Sequence, residues 1–212
     1  MKGGHLLPRT GPALIVGNHS FLGMDSGPLA ALVLLHSGRI PRFLGERNLW
    51  RVPGLAQALT AVGAVPGERS TAESLLQAGE LVAVYPGGVD DSFKLSRDAY
   101  VLQWGDRVGF AMVALRAGVP IVPIAATGVD ELFPIERKES VLGRRMLGSS
   151  RYDIPMPDTL VPRRVPLVYH VLPPIPPSGD ADDPLAVARL RDATAAALDS
   201  VLGPYRASRG LS

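Results

Sequence analysis

The sequence predicts one α/β domain over residues 1–212, a three-layer arrangement with a mainly parallel central sheet flanked by helices. Two observations carry this expectation. Short apolar runs alternate with helix-like patterns from Ala13 to Thr127, which is the signature of strands returning through helices. In addition, 212 residues at 46% hydrophobic content can fill one substantial core with no disulfide or metal to hold it.

The elements follow in order. Ala13 to Val16 reads as a strand, and Gly27 to His36 as a helix opened by Ser26, with Pro28 in its first turn. Arg42-Phe43-Leu44 reads as a short strand, and Val52 to Val62 as a helix broken at Gly63. Ser70 to Ala78 suits a helix whose start, Ser70-Thr71-Ala72-Glu73, has the form of a capping box. Leu81 to Tyr85 is a strand that stops at Pro86-Gly87-Gly88. Gly109 to Ala117 then reads as a helix and Ile121 to Thr127 as a strand. Pro134 to Pro166 is irregular and rich in Arg, Pro and Met. Leu167 to Val171 is a late strand, and a last amphipathic helix runs from Pro184 to Leu202, ending at Gly203-Pro204.

Composition removes several classes of function. The absence of cysteine excludes thiol catalysis, cysteine-based zinc sites and a disulfide framework. Four histidines without nearby ligand partners suggest no metal. A net charge of +2 with 6% aromatics is no nucleic-acid signature. No uninterrupted apolar stretch reaches the roughly 20 residues that span a bilayer, and MKGGHLLPRTGP lacks an apolar signal region. The expected location is the cytoplasm, free or at the inner face of a membrane.

Four blocks carry chemistry. In Gly17-Asn18-His19 a strand emerges at an imidazole, and ligands of parallel sheets collect at the strands' carboxyl ends. A neutral imidazole there can take a proton from an alcohol, and Asp25 can hold its other nitrogen. The six-residue offset fits no single helix face, so Phe21 to Met24 must turn, eased by Gly23. Without other evidence, turn and helix capping would explain both residues. Val84-Tyr85-Pro86-Gly87-Gly88 ends a second strand with glycines whose backbone can approach a ligand and offer N–H donors. Gly63-Ala64-Val65-Pro66-Gly67-Glu68-Arg69 ends on an arginine that could bind an anion or pair with Glu73. Val119-Pro120-Ile121-Val122-Pro123-Ile124 is a proline-bracketed strand. No Gly-x-Ser-x-Gly elbow is present, which argues against a hydrolase of that kind.

In this order, from about Gly11 to Gly128, the four blocks resemble the glycerolipid acyltransferase family, whose best-known members acylate lysophosphatidate. Two departures are similar to the branch of phytyl ester synthases and related mono- and diacylglycerol acyltransferases. Five residues, not four, separate His19 from Asp25, and the third block reads Tyr-Pro-Gly-Gly without the usual Glu and Arg. The resemblance implies direct acyl transfer from a thioester co-substrate, acyl-CoA or acyl-carrier protein, to a lipid hydroxyl, with no other cofactor. His19 would be the general base and Asp25 its orienting partner. Asn18, Arg69, Tyr85, Pro86, Gly87 and Gly88 would bind substrate or the oxyanion. Ser20 has no flanking mark of an activated nucleophile. Asp90 and Asp91 would repel a phosphate, which favours a neutral acceptor such as a mono- or diacylglycerol or a long-chain alcohol over a lysophospholipid. A lipid-binding protein without turnover is the non-enzymatic alternative. The basic and apolar segment from Glu136 to Tyr152 could lie at an anionic membrane surface. The chain begins close to the first block, which leaves two readings: an N-terminal anchoring segment of the relatives is lacking, or the true start lies upstream. Oligomeric state is not legible.

Overall fold

The computed structural model describes all residues except 52, 53, 62, 137–154, 156, 158, 160 and 212. The membrane-surface expectation for Glu136 to Tyr152 therefore lies almost wholly outside the described residues. Six strands form one sheet: β1 (Ala13–Gly17), β2 (Arg42–Gly45), β3 (Val65–Pro66), β4 (Leu81–Val84), β5 (Ile121–Thr127) and β6 (Val168–Val171). Their order is β3-β2-β4-β1-β5-β6, parallel throughout except for β6, which runs antiparallel to β5. The expected mainly parallel α/β architecture is present.

The centre of the sheet is the most apolar part of the chain. Every residue of β1 and β5 is buried, as is expected of parallel strands covered on both faces. Val16 lies opposite both Val84 of β4 and Pro123 of β5, so β4 ends level with β1 while β5 runs on to Thr127. Among the described residues six helices surround the sheet: α1 (Ser26–Ser37), α2 (Leu55–Ala61), α3 (Arg69–Gln77), α4 (Gly88–Ser92), α5 (Gly109–Ala117) and α6 (Pro184–Ser208). The chain moves one way across the sheet through α1 and the opposite way through α3 and α5. Right-handed crossovers therefore put α1 on one face and α3 and α5 on the other. Contacts of α5 with both α3 and α6 agree with this placement.

Two local expectations are corrected. The capping box does not form, because α3 begins at Arg69 and Ser70 falls inside its first turn. Glu68 takes the cap position without a side-chain bond, and Glu73 faces Arg116 at 3.8 Å. The last helix does not stop at Gly203-Pro204 but continues to Ser208. Tertiary anchors carry it past the proline: Tyr205 packs edge-on against Tyr100, and Tyr205 and Arg209 both bond Glu131. The helix expected from Val52 to Val62 is present as α2, with a 3-10 turn at Arg47–Arg51 ahead of it. Short α4, directly after the paired glycines, was not foreseen.

Candidate active site

Strand β1 delivers Asn18, His19 and Ser20 to the carboxyl edge of the sheet. The Asn18 amide is buried there and binds the backbone of β5 in both directions. It donates to the Ala126 carbonyl at 2.9 Å and accepts from the Ala126 N–H at 2.8 Å. Both functions of that amide are used within the protein, so Asn18 ties the strands rather than facing a substrate.

The chain then makes the required turn, a 3-10 turn at Phe21–Gly23 with Leu22 at φ 50° and Gly23 at φ 69°. Gly23 is demanded twice. Its backbone is left-handed, and a Cβ there would stand 3.0 Å from His19 Cε1. The turn returns Asp25 beneath His19, with 3.7 Å between His19 Nδ1 and Asp25 Oδ1. That is too long for a hydrogen bond, and the buried Nδ1 has no hydrogen-bond partner. A small rotation of the ring would close the gap. Asp25 stands at the N-cap position of α1 but makes no capping bond, so capping does not account for its carboxylate.

Asp25 is fully buried, and its neighbours are donors. Oδ1 accepts the Ser20 N–H at 3.1 Å and the Ser20 hydroxyl, while Oδ2 accepts the Tyr85 hydroxyl at 3.0 Å. Burial alone would raise its pKa. The His19 imidazole and the two Ser20 donors outweigh that and hold it below the ordinary carboxylate range. Ser20 is itself buried with its hydroxyl proton committed to Asp25, which removes it as a nucleophile. From 144 positions along the chain, Tyr169 on β6 donates to the Asp25 carbonyl at 2.9 Å.

Tyr85 has two jobs in this arrangement. Its hydroxyl holds Asp25, and its ring stacks on the His19 imidazole, centroids 4.1 Å apart and 13° from parallel. Burial first, then the charge of Asp25, push the phenol well above its usual pKa, so it stays a donor. Of the two loop glycines, the Gly88 N–H is spent on the Tyr85 carbonyl at 3.0 Å. The Gly87 N–H has no acceptor among the described residues. Gly87 also has no room for a side chain, since a Cβ would meet that of Asp91 at 2.2 Å.

Sequence reasoning placed Asp90 and Asp91 wrongly. Asp91 points inward, buried, and accepts the His19 backbone N–H at 3.0 Å and Lys94 Nζ at 3.0 Å. Asp90 is exposed and pairs with Arg107. The acidic loop thus presents no bare charge to repel a phosphate, and that argument for a neutral acceptor falls. Arg69 does not pair with Glu73, and no carboxylate among the described residues pairs with it. With Tyr85, Pro86, Arg107 and Gly109 it lines an open cleft of about 450 Å³. Tyr85 borders both this cleft and His19.

Behind the site, Lys94 bridges Asp91 and Asp130 (3.0 and 3.1 Å), all three nearly inaccessible to water. Burial, partly offset by Lys94 and aided by the charge of Asp91, raises the Asp130 pKa to about 6. In the unfolded chain Asp130 titrates near 3.8, so between those two values the folded state alone holds the proton. Stability therefore falls as pH rises through this window, by about 3 kcal/mol. An Asn at 130 keeps an oxygen for the Tyr100 N–H, now 2.7 Å from Asp130, and removes the titration. Unfolding of wild type and Asp130→Asn by urea should show the variant gaining relative stability between pH 4 and pH 7. A constant difference would refute the assignment.

Among the described residues no group of acidic or histidine side chains could hold a metal, and no helix is long and apolar enough to cross a membrane. Comparison with known proteins places the chain in a family. Residues 1–127 match the family model described as Acyltransferase. The chain is 35% identical over 127 residues to the bovine "DGAT1/2-independent enzyme synthesizing storage lipids", covering 60% of this chain and 38% of that protein. It is 34% identical over 142 residues to an uncharacterized protein of Mycobacterium tuberculosis, covering 65% of this chain and 39% of the other. This chain thus matches under two fifths of the length of these curated relatives. Its fold is similar to the crystal structure of the 1-acyl-sn-glycerophosphate acyltransferase from Thermotoga maritima. That similarity has a TM-score of 0.55 at 17% identity and covers 94% of this chain and 70% of that one. The matched segment contains His19, Asp25 and the Tyr-Pro-Gly-Gly turn, and the chain belongs to the Acyltransferase family.

Proposed function

We propose that this chain transfers a fatty acyl group from a thioester, acyl-CoA or acyl-carrier protein, to the hydroxyl of a lipid. His19 takes the hydroxyl proton as that oxygen attacks the thioester carbonyl, and Asp25 orients and stabilises the imidazolium. The Gly87 N–H offers a preorganised donor to the tetrahedral oxyanion before the thiolate leaves. The observation that supports this most is the imidazole stacked on Tyr85 with a buried, donor-saturated carboxylate behind it. Work on lipids would place the protein at the cytoplasmic face of a membrane.

The acceptor we favour is neutral, a mono- or diacylglycerol or a long-chain alcohol. Support comes from the name of the bovine relative and from the absence of the usual Glu and Arg in the third block. One observation favours a phosphate-bearing acceptor instead: Arg69, without a carboxylate partner, lines the cleft beside Tyr85. Acylation of diacylglycerol and of lysophosphatidate with one acyl-CoA decides between them. Under the favoured reading diacylglycerol turns over faster, and Arg69→Ala raises KM for the acyl-CoA only. If lysophosphatidate is preferred and Arg69→Ala raises its KM about tenfold or more, the loss of a charged hydrogen bond, the second reading stands.

A further inference from the structure

Helix α1 begins directly after Asp25, so its N-terminal end lies against the active site. Its inner face is ordinary: Leu29 and Val33 are buried in the core. Its outer face is not. Gly27, Pro28, Ala31, Leu34 and Leu35 are exposed, and their spacing of three and four puts them on one stripe. Water-facing stripes of surface helices ordinarily carry charged and polar side chains. This stripe has none.

The apolar surface continues at both ends. Past α1, Ile40 is 54% exposed beside Leu35 at 78% and Leu34 at 42%. Ahead of α1, Leu22 at 59% and Met24 at 55% belong to the turn that joins His19 to Asp25. Leu22 is also held at a positive φ that a leucine rarely adopts. Charge completes the pattern. From Met1 to Gly45 the carboxylates reduce to buried Asp25, against the cations Lys2, Arg9, Arg39 and Arg42. Arg39 follows the α1 C-cap, and the turn beside Lys2 packs against α1 through Gly4 and His36. Arg42 is paired with Glu80 at 4.0 Å and adds no free charge. An apolar stripe with Lys2 and Arg39 at its rim and no carboxylate of its own is complementary to an anionic bilayer.

We infer that α1 lies along an anionic membrane surface, with Leu34, Leu35 and Ile40 in its apolar layer. In that pose the Leu22–Met24 turn brings His19 to lipid hydroxyls without lifting them into water. The inference rests on the lipid-acceptor reading above and names the surface through which that acceptor arrives.

Two measurements test it. Purified protein is sedimented with phosphatidylcholine vesicles, alone or containing about one third phosphatidylglycerol. Wild type should bind the anionic vesicles at least about tenfold more tightly than Leu34→Glu/Leu35→Glu. Both glutamates would project from the outer face, and thermal unfolding checks that the double variant folds. Independently, the emission of Leu35→Trp should shift to the blue on these vesicles and be quenched by brominated acyl chains. Equal binding of wild type and double variant, or no spectral shift, overturns the inference. So does a wild-type dimer in solution that the glutamates split, since a second copy would then cover α1. Turnover of a dispersed short-chain donor and acceptor is followed in parallel, and the double variant should retain it. Vesicle binding through Leu35 without any acyl transfer supports docking while defeating the acyltransferase reading. Transfer to dispersed lipid without vesicle binding does the reverse.

Discussion

Replacing His19 by alanine is expected to lower kcat for acyl transfer by about 10² to 10⁴, the usual contribution of a positioned general base, with little change in KM. The ring is the partly exposed member of the site (17% of its side chain), whereas its partner Asp25 is inaccessible. Its Nδ1 faces Asp25, so the substrate hydroxyl must come to Nε2, on the edge that Gly23 keeps clear by having no Cβ. The fold should survive the change, because Asp25 keeps all three donors from Ser20 and Tyr85. Steady-state kinetics with a thioester donor would measure it, and free imidazole should restore part of the rate. A variant that retains most of its kcat would show that the base lies elsewhere.

Asp25→Asn should be nearly as damaging and, unlike His19→Ala, should also cost stability. In the serine-protease triad the same change lowers kcat by about 10⁴ without moving the histidine. Here an amide cannot satisfy its surroundings. The Ser20 N–H, Ser20 hydroxyl and Tyr85 hydroxyl all donate to Asp25, and the new NH₂ must face at least one of them. An unsatisfied buried donor costs about 1–3 kcal/mol, roughly 2–4 °C of Tm for each kcal/mol at this chain length. Thermal unfolding and kcat measured on one preparation would check both effects. The lowered pKa adds a sign. The stabilising contribution of the Asp25 carboxylate is present above the ordinary carboxylate range and is lost as pH falls through it and below, so in wild type alone this part of the stability should vanish in acid. Unchanged activity in Asp25→Asn would refute the orienting role.

The parts of the site that were legible in the sequence are those whose chemistry is local. His19 ends an apolar run, Asp25 follows within a turn that Gly23 permits, and Tyr85-Pro86-Gly87-Gly88 ends another run. The supporting contacts were not legible. Ser20 reads as an ordinary small polar residue, yet it supplies two of the donors on Asp25. Tyr85 read as a substrate contact, and its tie to Asp25 spans 60 positions. Asp91 read as a repelling surface charge because nothing nearby reveals that its oxygens face the His19 backbone and Lys94. Its position six residues after Tyr85, at the end of a short helix, was the available signal. Tyr169 had none.

What this sequence determined by itself is the alternation of strands and helices, and with it the edge of the sheet where His19 emerges. Apolar runs bounded by Gly and Pro favour the same elements whatever else the chain does, since burial and backbone freedom act within a few residues. Only the tertiary structure decided which donors surround Asp25, which way Asp91 turns, and that α6 runs on through Pro204. Those outcomes depend largely on partners brought together from 60 to 144 positions apart, and an electrostatic or hydrogen-bond energy exists only once both partners share one place.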